Sequence, residues 1–251
     1  MIDFKQIFDT RTVVGNLLII NILVFLAQLG LGGMVGGDLA DVGGMFYFGS
    51  VNFRPFQVFT HFFMHGGFMH LLFNMYAFVI FGTALERVWQ AKRFLIFYLV
   101  CAIGAAVVYQ GFLHFEVSQL ASKLTALNFT QEDIDYAMEM GKTRVNISAE
   151  AQSLFQKLYQ IYHTPVIGAS GAVFGVLLGF GMLFPNTELM LMFVPIPIKA
   201  KYFVIGYGAI ELIQTINNNP GDNVAHVAHL GGMLFGYFLI KFWQKSNNSF
   251  Y

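Results

Sequence analysis

The chain has 251 residues, of which 56% are hydrophobic and only 11% charged, whereas a soluble domain carries about 25% charged residues. Its 14 Lys and Arg balance 14 Asp and Glu; no basic patch alternates with aromatics, so nucleic acid is not an expected partner and the lipid bilayer is. The single cysteine, Cys101, can form no intrachain disulfide and is read as a small buried hydrophobe.

A helix needs roughly 20 apolar residues to cross the hydrocarbon core. Six segments approach that length, at about 13–31, 68–85, 94–115, 166–184, 198–216 and 223–243. They predict an all-α polytopic membrane protein forming a single membrane domain over 1–251. The first follows Lys5 and Arg11 in the layout of a signal peptide, but it is too long and no small-residue cleavage pattern follows it closely, so a retained span is expected. After it, residues 32–67 mix glycines with Phe46, Tyr47, Phe48, Phe53, Phe56 and Phe59. That composition suits a segment lying partly in the membrane interface, or an ordinary packed loop. His61 and His65 are expected there as structural hydrogen-bonders. At the end of the second segment, Glu86 and Arg87 are read as a charge pair or a loop cap.

Between the third and fourth segments, residues 114–164 form a hydrophilic insert. Thr130-Gln131-Glu132-Asp133 offers an N-cap with acids in the first turn, and Ile134, Met138, Leu154, Leu158 and Ile161 recur at helical spacing, so one or two amphipathic helices are predicted. Passive insertion, substrate capture and a lid are all compatible with it. The fifth segment is the weakest. It carries Glu211 and Gln214, read as lining a watery edge or snorkelling, and needs residues from Ile196 onward to reach across. With six spans, Lys5, Arg11, Arg87, Lys92, Arg93, Lys199, Lys201, Lys241 and Lys245 share one side, which predicts that both termini are cytoplasmic.

The chemistry concentrates in two apolar segments. Val166-Ile167-Gly168-Ala169-Ser170-Gly171 sets a glycine-flanked serine at the head of a helix, and Ala228-His229-Leu230-Gly231-Gly232 places a histidine in the last span. Gly171, Gly175 and Gly179 recur every four residues, as do Gly232 and Gly236, and such stripes let membrane helices approach closely. His229 shares a face with Gly232 and Gly236, while Ser170 precedes the other stripe. If the stripes pack together, Ser170 and His229 meet, at matching depths in six-span topology. A neutral imidazole can then take the serine proton. In the last span the nearest acid is Asp222, about two turns earlier, so a Ser/His dyad is predicted rather than a triad, with His229 oriented by packing, His226 or Asn223. His70 and Asn74 lie at i and i+4 in the second span and supply candidate donors to an oxyanion, with the Ser170 N–H as a further one. His61, His65 and His70 are close in sequence, but no H-E-x-x-H or ligand carboxylate accompanies them, and no metal is expected.

Taken together, Gly168-Ala169-Ser170-Gly171, His70-x-x-x-Asn74 and Ala228-His229-x-x-Gly232-x-x-x-Gly236 resemble the motifs of the rhomboid intramembrane serine proteases, over roughly residues 12–243. The resemblance implies a rhomboid-like bundle of six transmembrane helices in which Ser170 is nucleophile, His229 general base, and His70 and Asn74 oxyanion donors. It also implies single-span membrane proteins as substrates, cut near the outer end of their helix after a small residue, with no cofactor or metal. Phe174 stands where some members carry tyrosine, so stacking on His229 is retained without a hydroxyl. Two other classes remain open: a catalytically silent relative that binds transmembrane helices, and a redox protein holding haem between histidines of spans two and six. A bacterial inner (plasma) membrane is expected, because no organelle transit sequence is seen, with the site opening to the extracytoplasmic side.

Overall fold

A run of apolar residues uninterrupted by charge forms the first of the described helices, α1 (Val13–Leu31). In the computed structural model, which describes residues 8–31, 39–144, 146–191, 194–217 and 224–246, its start is capped from another helix. The first N–H groups of a helix have no partner inside it, and those of Val13 and Val14 donate to Glu86 Oε1 and Oε2 at 2.7 and 2.9 Å. Glu86 therefore caps a helix, with its negative charge at the positive end of the helix dipole.

The chain then forms two short helices, α2 (Leu39–Gly43) and α3 (Gln57–Thr60), and a 3-10 turn over His61–Phe63. Gln57, 1% exposed, organises this loop. Its Oε1 accepts from the N–H of Phe46 and of Arg54, and its Nε2 donates to the carbonyls of Val42 and Asn52. Gln28 of α1 exchanges two hydrogen bonds with the backbone of His65. The loop is thus packed through the buried amides of Gln57 and Gln28, each satisfied by backbone groups.

α4 (Phe68–Ala126) contains both of the segments expected as spans two and three. Gln90, at φ 62° and ψ 164°, is the one break in its helical backbone. The second half does not stop at 115 but continues to Ala126. From the break to its end it rises about 50 Å, against about 30 Å of hydrocarbon core. On its far end sit the two amphipathic helices of the insert. α5 (Gln131–Met140) begins at a capping box in which Thr130 and Asp133 bond reciprocally, and α6 (Ala149–His163) is capped by Ser148. Leu120, Leu124, Ile134, Ala137, Met138, Phe155 and Leu158 close over a separate small core.

α7 (Ser170–Leu183), α8 (Ala200–Asn217) and α9 (His226–Ser246) complete the helices. Between α7 and α8 the expectation of an all-α protein needs correction. β1 (Glu188–Leu191) and β2 (Val194–Lys199) form an antiparallel hairpin, so the residues from Ile196 onward extend β2 instead of lengthening the fifth span, and α8 begins at Ala200. Among the described residues, two helices are long and apolar enough to cross a membrane, α1 and the broken α4, and α7 is a shorter apolar helix. The chain is mostly helical.

The centre of the bundle is α7, packed on α4 and α9 through small residues. A Cβ on Gly232 would collide with the Gly171 carbonyl, and one on Gly175 with Cys101 Sγ. Helices meet there backbone to backbone, as the glycine periodicity predicts.

Candidate active site

Ser170 is the first residue of α7 and is held by the chain before it. Val166 exchanges two backbone hydrogen bonds with Met45, each 2.9 Å, and Gly168 N–H donates to the His61 carbonyl at 2.9 Å. The first loop thereby fixes the approach to the serine. Gly168 has φ +121°, in the range that favours glycine, and a side chain there would also strike the His70 ring, since a Cβ would lie 2.8 Å from its Nε2.

His229 lies one turn into α9 and is 7% exposed. Its Nε2 is 2.8 Å from Ser170 Oγ. Phe174, one turn into α7, stacks on the ring at 4.1 Å and 6°, and Tyr207 of α8 stacks on Phe174 at 5.0 Å. The opposite nitrogen, Nδ1, is 2.8 Å from Glu211 Oε2, and His226 Nδ1 is 2.6 Å from the same oxygen. An ionised carboxylate only accepts, so both Nδ1 atoms carry the proton. His229 Nε2 is then a lone pair facing the serine hydroxyl, the tautomer a general base requires.

No acid was expected within reach of His229, and the structure places one there. No acid neighbours His229 along its own helix, but α8 brings Glu211 from 18 residues away. Glu211 is buried between two histidines, not snorkelling at an edge. Of the other proposed orienters, His226 holds the carboxylate, while Asn223, like Asp222, lies outside the described residues. Sequence reasoning noticed Glu211 and misread it, because a helical pattern shows neighbours on one helix and not across two.

His70 stands beside the serine loop. Its Nδ1 accepts from Gly66 N–H at 3.3 Å, which leaves the proton on Nε2, the atom next to Gly168. Asn74 is buried, and its amide donates to the His70 carbonyl in the same helix at 2.9 Å; a second N–H of that amide remains. His61 and His65 are buried in the loop, His61 Nδ1 lying 2.9 Å from the Gln57 carbonyl. Among the described residues, one group of side chains could hold a metal ion, and it is not the His61, His65 and His70 cluster set aside in the sequence: the donor atoms of Glu211, His226 and His229 lie within 4.8 Å of one another. Beside Ser170 a narrow recess of about 20 Å³ is lined by Met45, His61, Val166, Gly168, Ala225 and Ala228, among others.

A family model described as the Rhomboid domain matches residues 52–122 and 110–245. The chain is 27% identical over 243 residues to "Rhomboid protein 1, mitochondrial" of Saccharomyces cerevisiae, covering 86% of this chain and 66% of that protein. It is 35% identical over 92 residues to an uncharacterized mitochondrial rhomboid protein of Schizosaccharomyces pombe, covering 34% of this chain and 23% of that one. The chain thus spans less than two thirds of either relative. Both are mitochondrial by name, which overturns the expectation of a bacterial inner (plasma) membrane. With the family model matched along most of the chain, from residue 52 to residue 245, the protein belongs to the rhomboid family.

Proposed function

We propose that the protein is an intramembrane serine endopeptidase that hydrolyses peptide bonds in or near transmembrane helices of single-span substrates, within one membrane domain of six spans. The observation that carries this reading is the 2.8 Å contact between His229 Nε2 and Ser170 Oγ, with the proton of His229 held on the far nitrogen. A serine alone at the head of a glycine-striped helix is more often a packing residue; one facing the lone pair of a buried imidazole has a base.

Ser170 Oγ attacks the substrate carbonyl carbon while its proton passes to His229 Nε2. The carbonyl oxygen becomes an oxyanion, for which the His70 Nε2–H, the remaining Asn74 amide N–H and the Ser170 backbone N–H are the donors. Collapse breaks the C–N bond, and His229 gives the proton to the leaving amine. Water then attacks the acyl-enzyme with His229 again as base, which releases the acid and restores Ser170. The recess beside Ser170 has walls of Val166, Gly168, Ala225 and Ala228, which suit a small substrate side chain. No step calls for a cofactor or metal.

The test is covalent labelling of detergent-solubilised protein with a fluorophosphonate, paired with cleavage of a tagged transmembrane substrate. Wild type is expected to label and cleave, and Ser170→Ala and His229→Ala to do neither. His70→Ala is expected to label but to cleave on the order of 100- to 1000-fold more slowly, the usual effect of losing one oxyanion donor. Folded wild type that neither labels nor cleaves would move the assignment to a helix-binding relative without activity.

A further inference from the structure

We propose that Glu211 is the positioning residue for the general base, so that hydrolysis runs on a Ser170–His229–Glu211 chain; this rests on the reading of Ser170 and His229 as nucleophile and base. The Glu211 side chain is 5% exposed. A carboxylate taken so far from water costs several kcal/mol unless its charge is met. Its Oε2 meets two donors instead, His229 Nδ1 at 2.8 Å and His226 Nδ1 at 2.6 Å.

Each contact has a separate effect on the imidazole. Stacking on Phe174 fixes the plane of the His229 ring but not its flip, since a half-turn about Cβ–Cγ returns the same plane with ring nitrogens and carbons exchanged. The bond to Glu211 selects the flip with Nε2 toward Ser170, and excludes the tautomer that would present an N–H to the hydroxyl. When His229 takes the serine proton, the ring gains a positive charge 2.8 Å from the Glu211 carboxylate, and no proton need move to Glu211. His226 binds the same oxygen from one turn earlier in α9, so the carboxylate stays in place while His229 changes charge.

The discriminating variants are Glu211→Gln and Glu211→Asp, in the full chain, with kcat and KM measured on a tagged transmembrane substrate and folding followed by thermal unfolding. Gln is the same size but offers an amide N–H to Nδ1, which favours the inverted tautomer. We expect Glu211→Gln to lose kcat on the order of 10²- to 10⁴-fold, as removal of the carboxylate does in a Ser-His-Asp enzyme, with KM and the unfolding midpoint unchanged. Glu211→Asp, which keeps the charge on a shorter stem, is expected to keep more kcat than Glu211→Gln. A Glu211→Gln protein with wild-type kcat, beside an inactive Ser170→Ala, would overturn the proposal and leave the proposed function standing. Equal loss in the Asp and Gln variants would overturn it too, by showing that the site needs the glutamate's shape and not its charge. Activity lost to EDTA and restored by Zn²⁺ would overturn it in favour of a metal at these three residues. Wild type that neither labels nor cleaves would remove both readings.

Discussion

Gly232 shows how little space the contact beside Ser170 leaves. A Cβ on it would run into the Gly171 carbonyl, one residue from Ser170, whereas a Cβ on Gly206 of α8 would meet nothing within 4 Å. Overpacking a close contact costs about 1–3 kcal/mol and more when backbone must move. Gly232→Ala is therefore expected to lower the unfolding midpoint and abolish fluorophosphonate labelling, while Gly206→Ala leaves both intact, helped by the better helix propensity of alanine. If Gly232→Ala labels like wild type, the contact does not set the serine's position. At this scale, Ser170 and His229 were legible because one glycine register places both on the same contact. Glu211 was not, because a lone acid in a weakly apolar segment looks the same whether it snorkels or is clasped by two histidines. The hydrogen bond of Asn74 to its own helix is likewise invisible in an i, i+4 spacing.

Elements are joined by polar groups placed at their ends. The carboxylate of Glu86 ties the end of one apolar segment to the start of another, through two hydrogen bonds spanning more than 70 positions in sequence. Charge-assisted bonds of this kind contribute about 1.5–3 kcal/mol. Glu86→Ala should destabilise the protein by roughly that amount, and should expose the first turn of α1 to faster amide hydrogen exchange; unchanged exchange at Val13 and Val14 would show the cap to be dispensable. The insert helices were readable from Thr130 and from the spacing of Ile134, Met138, Leu154, Leu158 and Ile161, because capping chemistry and periodicity are local. The end of the expected third span was not. Hydropathy registers where the apolar run ends, near Glu116, while the backbone continues as helix to Ala126. The β1–β2 hairpin was missed because two short strands leave little periodic signal, and Pro195 and Pro197 speak against regular structure.

For the whole molecule, the first loop couples folding to pH. Burial pushes the His61 imidazole down to about 4; burial, with His70 adding repulsion, does the same to His65. Unfolded, each would titrate near 6.5. The unfolded chain thus binds more protons between these values, so stability is complete above about pH 6.5 and is lost as pH falls toward 4, by up to about 3 kcal/mol per histidine. Because the His61 carbonyl holds Gly168, acid should loosen the approach to Ser170 as well. The unfolding midpoint in detergent is expected to drop between pH 7.5 and pH 5, with a shallower drop in His61→Gln; a flat profile in wild type would refute it. The bundle as a whole was legible from composition and motifs, since lipid imposes its length and polarity rules on sequence directly. The loop's polar framework around Gln57 was not, because its partners are backbone atoms and carry no residue signature.

The unbroken second half of α4 has a mechanical consequence. At one end Cys101 and Ala105 lie where Gly175 and Gly171 of the serine's helix have no room for side chains; at the other, Leu120 and Leu124 are sealed into the core of the insert. No loop separates the two ends to absorb strain, and close-packed interiors transmit it. The hydrophilic insert is in effect the handle of a lever whose fulcrum lies in the bundle. A torque applied to α5 or α6 would reach α7, the helix that carries Ser170, as a rigid tilt.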